Sequence, residues 1–188
     1  MIEYFSLAID EQLSLVQPTV KMAGIMFDLI DRNREHLGKF LDFIDHVQEI
    51  KDEEDFLKRK LKGEAEGTDR LLLIAYEAEI IGVVDLYLID QLNRKAEIGY
   101  WLSSTYCRQG MMTKAVNKVT QIAFKEMGLN KLSIVADIEN YGSNRVAQNC
   151  NYTLVGTQRE DQLVNGRYRD MNYYSILKSE CINKKNRQ

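Results

Sequence analysis

The sequence predicts an α/β (α+β) domain: a mixed, mostly antiparallel, twisted sheet of about seven strands with helices on both faces. Three observations carry that expectation. Strand-like and helix-period runs follow one another as strand, helices, three strands, helix, strand, helix, two strands. The chain has 188 residues, 45% of them hydrophobic and 28% charged, the size and balance of one domain that can bury its own core. It holds one proline (Pro18) and no Gly/Ser-rich linker or internal repeat, so a single domain over 1–188 is expected.

Residues 13–16 alternate and read as a first strand that ends at Pro18. From 20 to 43 the apolar residues Met22, Ile25, Met26, Leu29, Ile30, Leu37, Phe40 and Leu41 keep helical spacing, with a break expected at Gly38. A charged helix over 52–62 turns Phe56 and Leu57 inward, and 63–69 reads as a polar loop. Runs 71–76, 80–89 and 96–102 form an antiparallel meander through turns at 77–79 and 90–94. From Met111 or Met112 to Met127 one face is apolar and the other carries Lys114, Lys118, Gln121 and Lys125, with Gly128 at the expected C-terminal stop. A strand over 132–136, a short helix over 141–149 and two strands near 153–159 and 168–177 complete the domain. The charged tail, 178–188, is expected to fray.

Composition narrows the function. A formal charge of −3 gives no general attraction to nucleic acid or an anionic membrane. Cys107, Cys150 and Cys181 form neither a disulfide framework nor a C-x-x-C site, and His36 and His46 are too isolated for a metal centre, so no metal is expected. No apolar run reaches the roughly 20 residues that span a bilayer. Residues 1–10 lack a basic start, so no signal peptide and a cytoplasmic location are expected.

The informative loop is Tyr106-Cys107-Arg108-Gln109-Gly110-Met111-Met112-Thr113-Lys114-Ala115, which leaves a strand and enters the long helix. A helix start offers unpaired N–H groups and about half a positive charge, and so attracts an anion. Gly110 lets a ligand approach the backbone, and Arg108 adds a cation. A pyrophosphate is a plausible guest. An ordinary strand-to-helix loop is equally compatible with these ten residues, because neither G-x-G-x-x-G nor a P-loop is present.

Three blocks decide between the readings. They are Ala96-Glu97-Ile98-Gly99-Tyr100-Trp101-Leu102, then Arg108 to Ala115, then Asn140-x-x-Ser143-Asn144. In this order they resemble the GNAT acetyltransferase superfamily, and more narrowly its RimJ/RimL-type ribosomal-protein N-terminal acetyltransferases. The resemblance implies acetyl-coenzyme A as cosubstrate. Backbone amides of Arg108, Gln109, Gly110, Met111, Met112 and Thr113 would hold its pyrophosphate. The strand at Tyr100, Trp101 and Leu102 would pair with the pantetheine arm, in a slot where the central parallel strands (96–102 and 132–136) splay. Asn140 would bond the arm, and Ser143 would lie near the sulfur. Met112 stands where the family has a second small residue, and Asn151-Tyr152 where it has Gly-Phe.

Acetyl transfer to an amine needs a base, because an α-amine titrates near 8 and a lysine near 10.4. It also needs a donor for the oxyanion, for which a backbone N–H on the splayed strand is suited. Glu97 is the first candidate base; its bland reading is a solvated strand residue. In the resembling branch a glutamate precedes the Asn-Gly of the last hairpin, and Gln162 holds that register here. Glu160 and Asp161 are adjacent but out of register, so a neighbour or water must substitute, or the chemistry is impaired. Ser143 is the candidate donor to the departing sulfur, although Asn140 to Ser143 also reads as a helix cap. A nucleophilic Cys107 is disfavoured, since no histidine is near it in sequence. The resemblance implies a protein N-terminus, such as that of a ribosomal protein, as acceptor, and leaves a homodimer open. A polyamine or amino-sugar acceptor and a non-catalytic acyl-coenzyme A-binding module are the alternatives.

Overall fold

Eight strands form one sheet in the order β1-β2-β3-β4-β5-β6-β8-β7 in the computed structural model, which describes residues 5–185. The elements are β1 (Ser6–Ala8), β2 (Leu13–Val16), α1 (Ala23–Asp31), α2 (Arg34–Leu37), α3 (Ile50–Glu66), β3 (Arg70–Tyr76), β4 (Glu79–Asp90), β5 (Lys95–Leu102), α4 (Met111–Lys125), β6 (Lys131–Asp137), α5 (Tyr141–Asn149), β7 (Thr153–Val164), β8 (Arg167–Leu177) and α6 (Lys178–Lys185). Every pairing is antiparallel except β5 with β6. The strand beyond the seven expected is β1, three exposed residues too short to show a pattern. Its turn into β2 is built by Asp10, whose carboxylate accepts the N–H groups of Gln12 and Leu13 at 3.1 and 2.9 Å.

Alternation along the strands sorts side chains to two faces. Ala96, Ile98 and Leu102 of β5, with Ile134 of β6 and Tyr174 and Ile176 of β8, share a core with Ala115, Val116 and Val119 of α4. Leu71, Leu73 and Val83 face the other way, against Met22, Met26 and Leu57 of the α1 and α3 layer. Trp101 packs where that second core meets a third, small cluster of Ile30, Leu37, Ile44 and Val47.

Several boundaries differ from expectation for local reasons. The run 20–43 is not continuous helix: α1 ends before Asn33, whose Nδ2 donates to the Leu29 carbonyl at 2.8 Å and so competes with the helix ladder. Helix α3 is longer at both ends than expected. A reciprocal capping box between Glu49 and Asp52 starts it, and Gly67 stops it at φ 76°. Strand β7 runs on to Val164, because Asn165 and Gly166, at φ 51° and 72°, make a two-residue turn straight into β8. The tail expected to fray opens as α6, with the Glu180 carboxylate accepting the Leu177 N–H at 2.8 Å. The reading of 1–10 as lacking a leader, and the end of the tail, lie partly outside the described residues.

One irregularity positions everything that follows. β5 and β6 pair only over Lys95–Lys131, Ala96–Leu132 and Glu97–Ser133, yet continue to Leu102 and Asp137. Beyond Glu97 the two parallel strands diverge and leave a slot in the middle of the sheet.

Candidate active site

The slot opens toward the start of α4. Gly110 caps that helix at φ 77° without a side-chain hydrogen bond, so the first-turn N–H groups are left for a ligand. A Cβ on Gly110 would meet no atom within 4 Å, so the space beside the helix start is open. Arg108 is exposed next to it, itself at φ 63°. Met111 and Met112 are buried and anchor the first turn in the core. Lys114 is turned aside, its Nζ 2.8 Å from Asp10 Oδ2. That ammonium holds the Asp10 carboxyl at about 2, below the usual carboxylate range.

The loop is fastened from below. Asn33 is buried, and its Oδ1 accepts the Ser104 N–H at 2.9 Å, the Ser104 hydroxyl at 3.0 Å and the Ser103 hydroxyl at 3.3 Å. Gln109 Nε2 donates to the Thr105 carbonyl at 3.0 Å. Thus the break after α1 that periodicity does not explain is the joint between the α1–α2 layer and the cofactor-type loop.

The α4 side of the slot carries the second predicted pair. Asn140 caps α5, its Oδ1 accepting the Ser143 N–H at 3.1 Å. That oxygen is committed to the cap, so the amide Nδ2 is the group suited to a ligand. The Tyr100 hydroxyl lies 3.0 Å from Ser143 Oγ and donates to the Ser143 carbonyl at 3.2 Å. Burial pushes the Tyr100 phenol well up, so it stays protonated and cannot serve as a base. Below them Asn144 has every side-chain hydrogen-bonding atom engaged. It donates to the Asp137 and Asn140 carbonyls, both at 2.8 Å, and accepts from Asn172 at 2.7 Å and Tyr174 at 2.8 Å. The α5 start is therefore locked to β6 and β8.

Glu97, the predicted base, lies on the opposite face of the sheet, shared by alternation with Gly99 and Trp101. The Tyr87 hydroxyl donates to Glu97 Oε2 at 3.3 Å. Gly99 makes room for that tyrosine, since a Cβ there would come 3.1 Å from Tyr87 Cε1. Tyr173 of β8 faces the same way, and its hydroxyl donates to Asp161 Oδ2 at 2.7 Å. Asp161, with help from the Glu97 charge, pushes the Tyr173 phenol up to about 12. The slot thus separates a hydroxyl pair, Tyr100 with Ser143, from a group of carboxylates and phenols: Glu97, Tyr87, Asp161 and Tyr173.

The roof over that second face is the β7–β8 hairpin. Asn165 Nδ2 donates to the Gly38 carbonyl at 2.7 Å. Arg169 bridges Asp137 and Glu139, each at 2.7 Å, and its guanidinium stacks 5.9 Å from the Phe40 ring centre. These contacts join the segment after α2 to the last hairpin. Gln162, which holds the expected register, is exposed, whereas Asp161 is half-buried. Neither tyrosine of this face was legible as a site residue, since each reads as an ordinary strand aromatic.

Cys107 gains a histidine that sequence distance concealed: His36 Nε2 is 3.7 Å from its Sγ. Burial raises the thiol's pKa and its Sγ also donates to the Ser103 carbonyl at 3.5 Å, so it remains a thiol rather than a nucleophile. Among the described residues no cluster of His, Cys, Asp and Glu is arranged to hold a metal. No helix among them is long and apolar enough to cross a membrane.

Comparison with known proteins agrees with this geometry. Residues 13–153 match the acetyltransferase (GNAT) domain model. The chain is 31% identical over 94% of its length, and 97% of the relative's, to YdaF of Bacillus subtilis (strain 168), a candidate ribosomal N-acetyltransferase. It is 26% identical to the ribosomal-protein-serine acetyltransferase of Escherichia coli (strain K12), covering 92% of this chain and 96% of that one. Among solved structures, the microcin C7 self-immunity acetyltransferase MccE in complex with acetyl-CoA and AMP superposes with a TM-score of 0.85 at 29% identity, over 90% of this chain and 94% of its own.

Proposed function

The chain belongs to the GNAT acetyltransferase family, and from that premise we propose that its acceptor is a protein N-terminal α-amine of the ribosomal-protein type. The coarser activity is that of an acetyl-coenzyme A-dependent N-acetyltransferase. The observation that carries it is the slot, with an uncapped helix start at one end and the Tyr100–Ser143 pair along its side. The fit to the cosubstrate is good: the first-turn N–H groups of α4 and Arg108 suit a pyrophosphate, and the unpaired edge of β5 suits an amide-bearing arm. Acetyl-coenzyme A supplies an activated acyl group on a good leaving thiol, so no covalent enzyme intermediate is needed.

This chain's residues divide the work by face. Asn140 and the edge of β5 at Tyr100, Trp101 and Leu102 orient the arm. A backbone N–H of the same strand faces the developing oxyanion. Ser143, held by Tyr100, donates a proton to the sulfur as it leaves. The amine enters from the opposite face, where the carboxylates Glu97 and Asp161 attract its ammonium form. That α-amine titrates near 8, so a carboxylate needs to remove only one proton to make it nucleophilic.

The similarity to a candidate ribosomal N-acetyltransferase over 97% of that relative's length supports a peptide rather than a small-amine acceptor. The test is thiol release from acetyl-coenzyme A with peptides of Ser, Ala and Met N-termini, with spermidine and with glucosamine. The expected result is turnover of the peptides, at least about tenfold above the small amines in kcat/KM, with Ser143→Ala losing kcat while keeping cofactor affinity. Turnover of spermidine or glucosamine alone would replace the acceptor, and binding without any turnover would leave an acyl-coenzyme A-binding module.

A further inference from the structure

The β7 strand contains a bulge that redirects one carboxylate. Gln158 pairs with Met171 and Gln162 with Arg169, so three residues of β7 (Arg159, Glu160 and Asp161) face only Asp170. Glu160 sits at φ 52°, a region that L side chains avoid, and its N–H is held by Asp170 Oδ1 at 2.9 Å. A residue is kept in that conformation only where its surroundings impose it. The consequence falls on the next residue. Along β7 the side chains from Thr153 to Glu160 are exposed, as are Gln162 and Leu163, and Asp161 alone among them turns inward.

Inward here means toward the acceptor face. The Asp161 carboxylate takes the Tyr173 hydroxyl at 2.7 Å, and Tyr173 lies close enough to Glu97 and Tyr87 to feel both. Tyr173 pairs with Val135 on the far strand of the slot, beyond the last β5–β6 pairing at Glu97–Ser133. We propose that Asp161, aimed into the site by the β7 bulge and steadied by Tyr173, is the carboxylate that takes the proton from the acceptor amine. This rests on the transferase reading above and names the base within it.

Two observations select Asp161 over its neighbours. Gln162 is an amide and points to solvent, so it can neither take a proton nor reach the site. Tyr173 remains protonated beside two carboxylates, so it serves as the donor that fixes Asp161 rather than as the base. Glu97 keeps a separate task on the same face: held by the Tyr87 hydroxyl, its carboxylate adds negative charge that draws the ammonium in. The step balances as follows. One ammonium proton passes to the Asp161 carboxylate and on to water. The nitrogen lone pair forms the N–C bond as the C–S bond breaks. The second proton passes from nitrogen to water as the amide forms, and the sulfur takes one from Ser143, which water replenishes.

The experiment uses the full chain and the best acceptor of the panel, with wild type, Asp161→Asn, Asp161→Glu, Gln162→Ala, Glu97→Gln and Tyr173→Phe. Acetyl-coenzyme A affinity is measured by calorimetry, and kcat and kcat/KM are followed from about pH 6 to pH 9. Asp161→Asn is expected to lower kcat by about 100-fold or more across that pH range with acetyl-coenzyme A affinity unchanged. Asp161→Glu is expected to recover part of that loss, Tyr173→Phe to lower kcat by less than Asp161→Asn while leaving KM for acetyl-coenzyme A unchanged, and Gln162→Ala to stay within about threefold of wild type. Wild-type kcat in Asp161→Asn, or the roughly 100-fold loss of kcat in Glu97→Gln instead, overturns the assignment while the transferase reading stands. A wild type that binds acetyl-coenzyme A and acetylates nothing overturns both.

Discussion

Single residues on the acceptor side show how this protein handles buried charge. Glu53 of α3 is only 2% exposed, its Oε2 has no hydrogen-bond partner among the described residues, and burial raises its pKa from 4.5 to about 7. The sign follows from linkage: as pH rises from 4.5 toward 7 the unfolded chain ionises here while the folded chain keeps its proton, so stability falls over that window and stays low above it. Glu53→Gln is therefore expected to be about 1–2 kcal/mol more stable than wild type in urea unfolding at pH 8 and no different at pH 4.5. An equal offset at both pH values would place its effect in packing instead. The same scale sets how much of the site is legible in sequence. Glu97, Ser143 and Asn140 stand out as candidates because residue type and motif order single them out. Asp161 is named by the sequence only as a neighbour out of register, because alternation assumes an unbroken strand and the bulge at Glu160 shifts the register by itself. Tyr87 and Tyr173 gain their roles only from neighbours brought in by the sheet.

Elements fix the geometry that residues cannot fix alone. The slot exists because β5 is held firmly on its β4 side while it leaves β6. Gly82 sets that hold: a Cβ there would lie 2.4 Å from the Trp101 carbonyl oxygen and 2.9 Å from Leu102 Cδ1. The first of these is backbone and cannot swing away. Gly82→Ala is expected to cost about 2 kcal/mol or more in denaturant unfolding and to weaken acetyl-coenzyme A binding, because it displaces the strand edge that faces the slot. A change under about 0.5 kcal/mol would show that β4 and β5 yield here. Element type and order were legible, since α4 has a clean amphipathic face and the meander has clear turns. Boundaries were less so. Periodicity does not reveal the capping box that lengthens α3, the Asn33 side chain that ends α1, or the Glu180 carboxylate that opens α6.

At the scale of the whole molecule, the sheet is one surface with two working faces and a gap between them. In the proposed function helices α4 and α5 supply the cofactor side, through the Gly110 helix start and the Tyr100–Ser143 pair. The acceptor side proposed opposite it lies between the α1–α3 layer and the β7–β8 hairpin, and Asn33 and Asn165 tie these parts together. The α/β order predicts such a sheet, but only the family resemblance predicts the splay, because pairing between distant parallel strands leaves no periodic trace. The central claim is that this slot binds acetyl-coenzyme A in the folded state. A ligand of that kind at about 100 times its Kd adds about 2.7 kcal/mol to folding stability. For a domain of this size that corresponds to a rise in Tm of about 5–10 °C. Thermal unfolding of the full chain with and without acetyl-coenzyme A measures it: Tm is expected to rise with ligand concentration, and an unchanged Tm at millimolar acetyl-coenzyme A would show that the slot does not bind it.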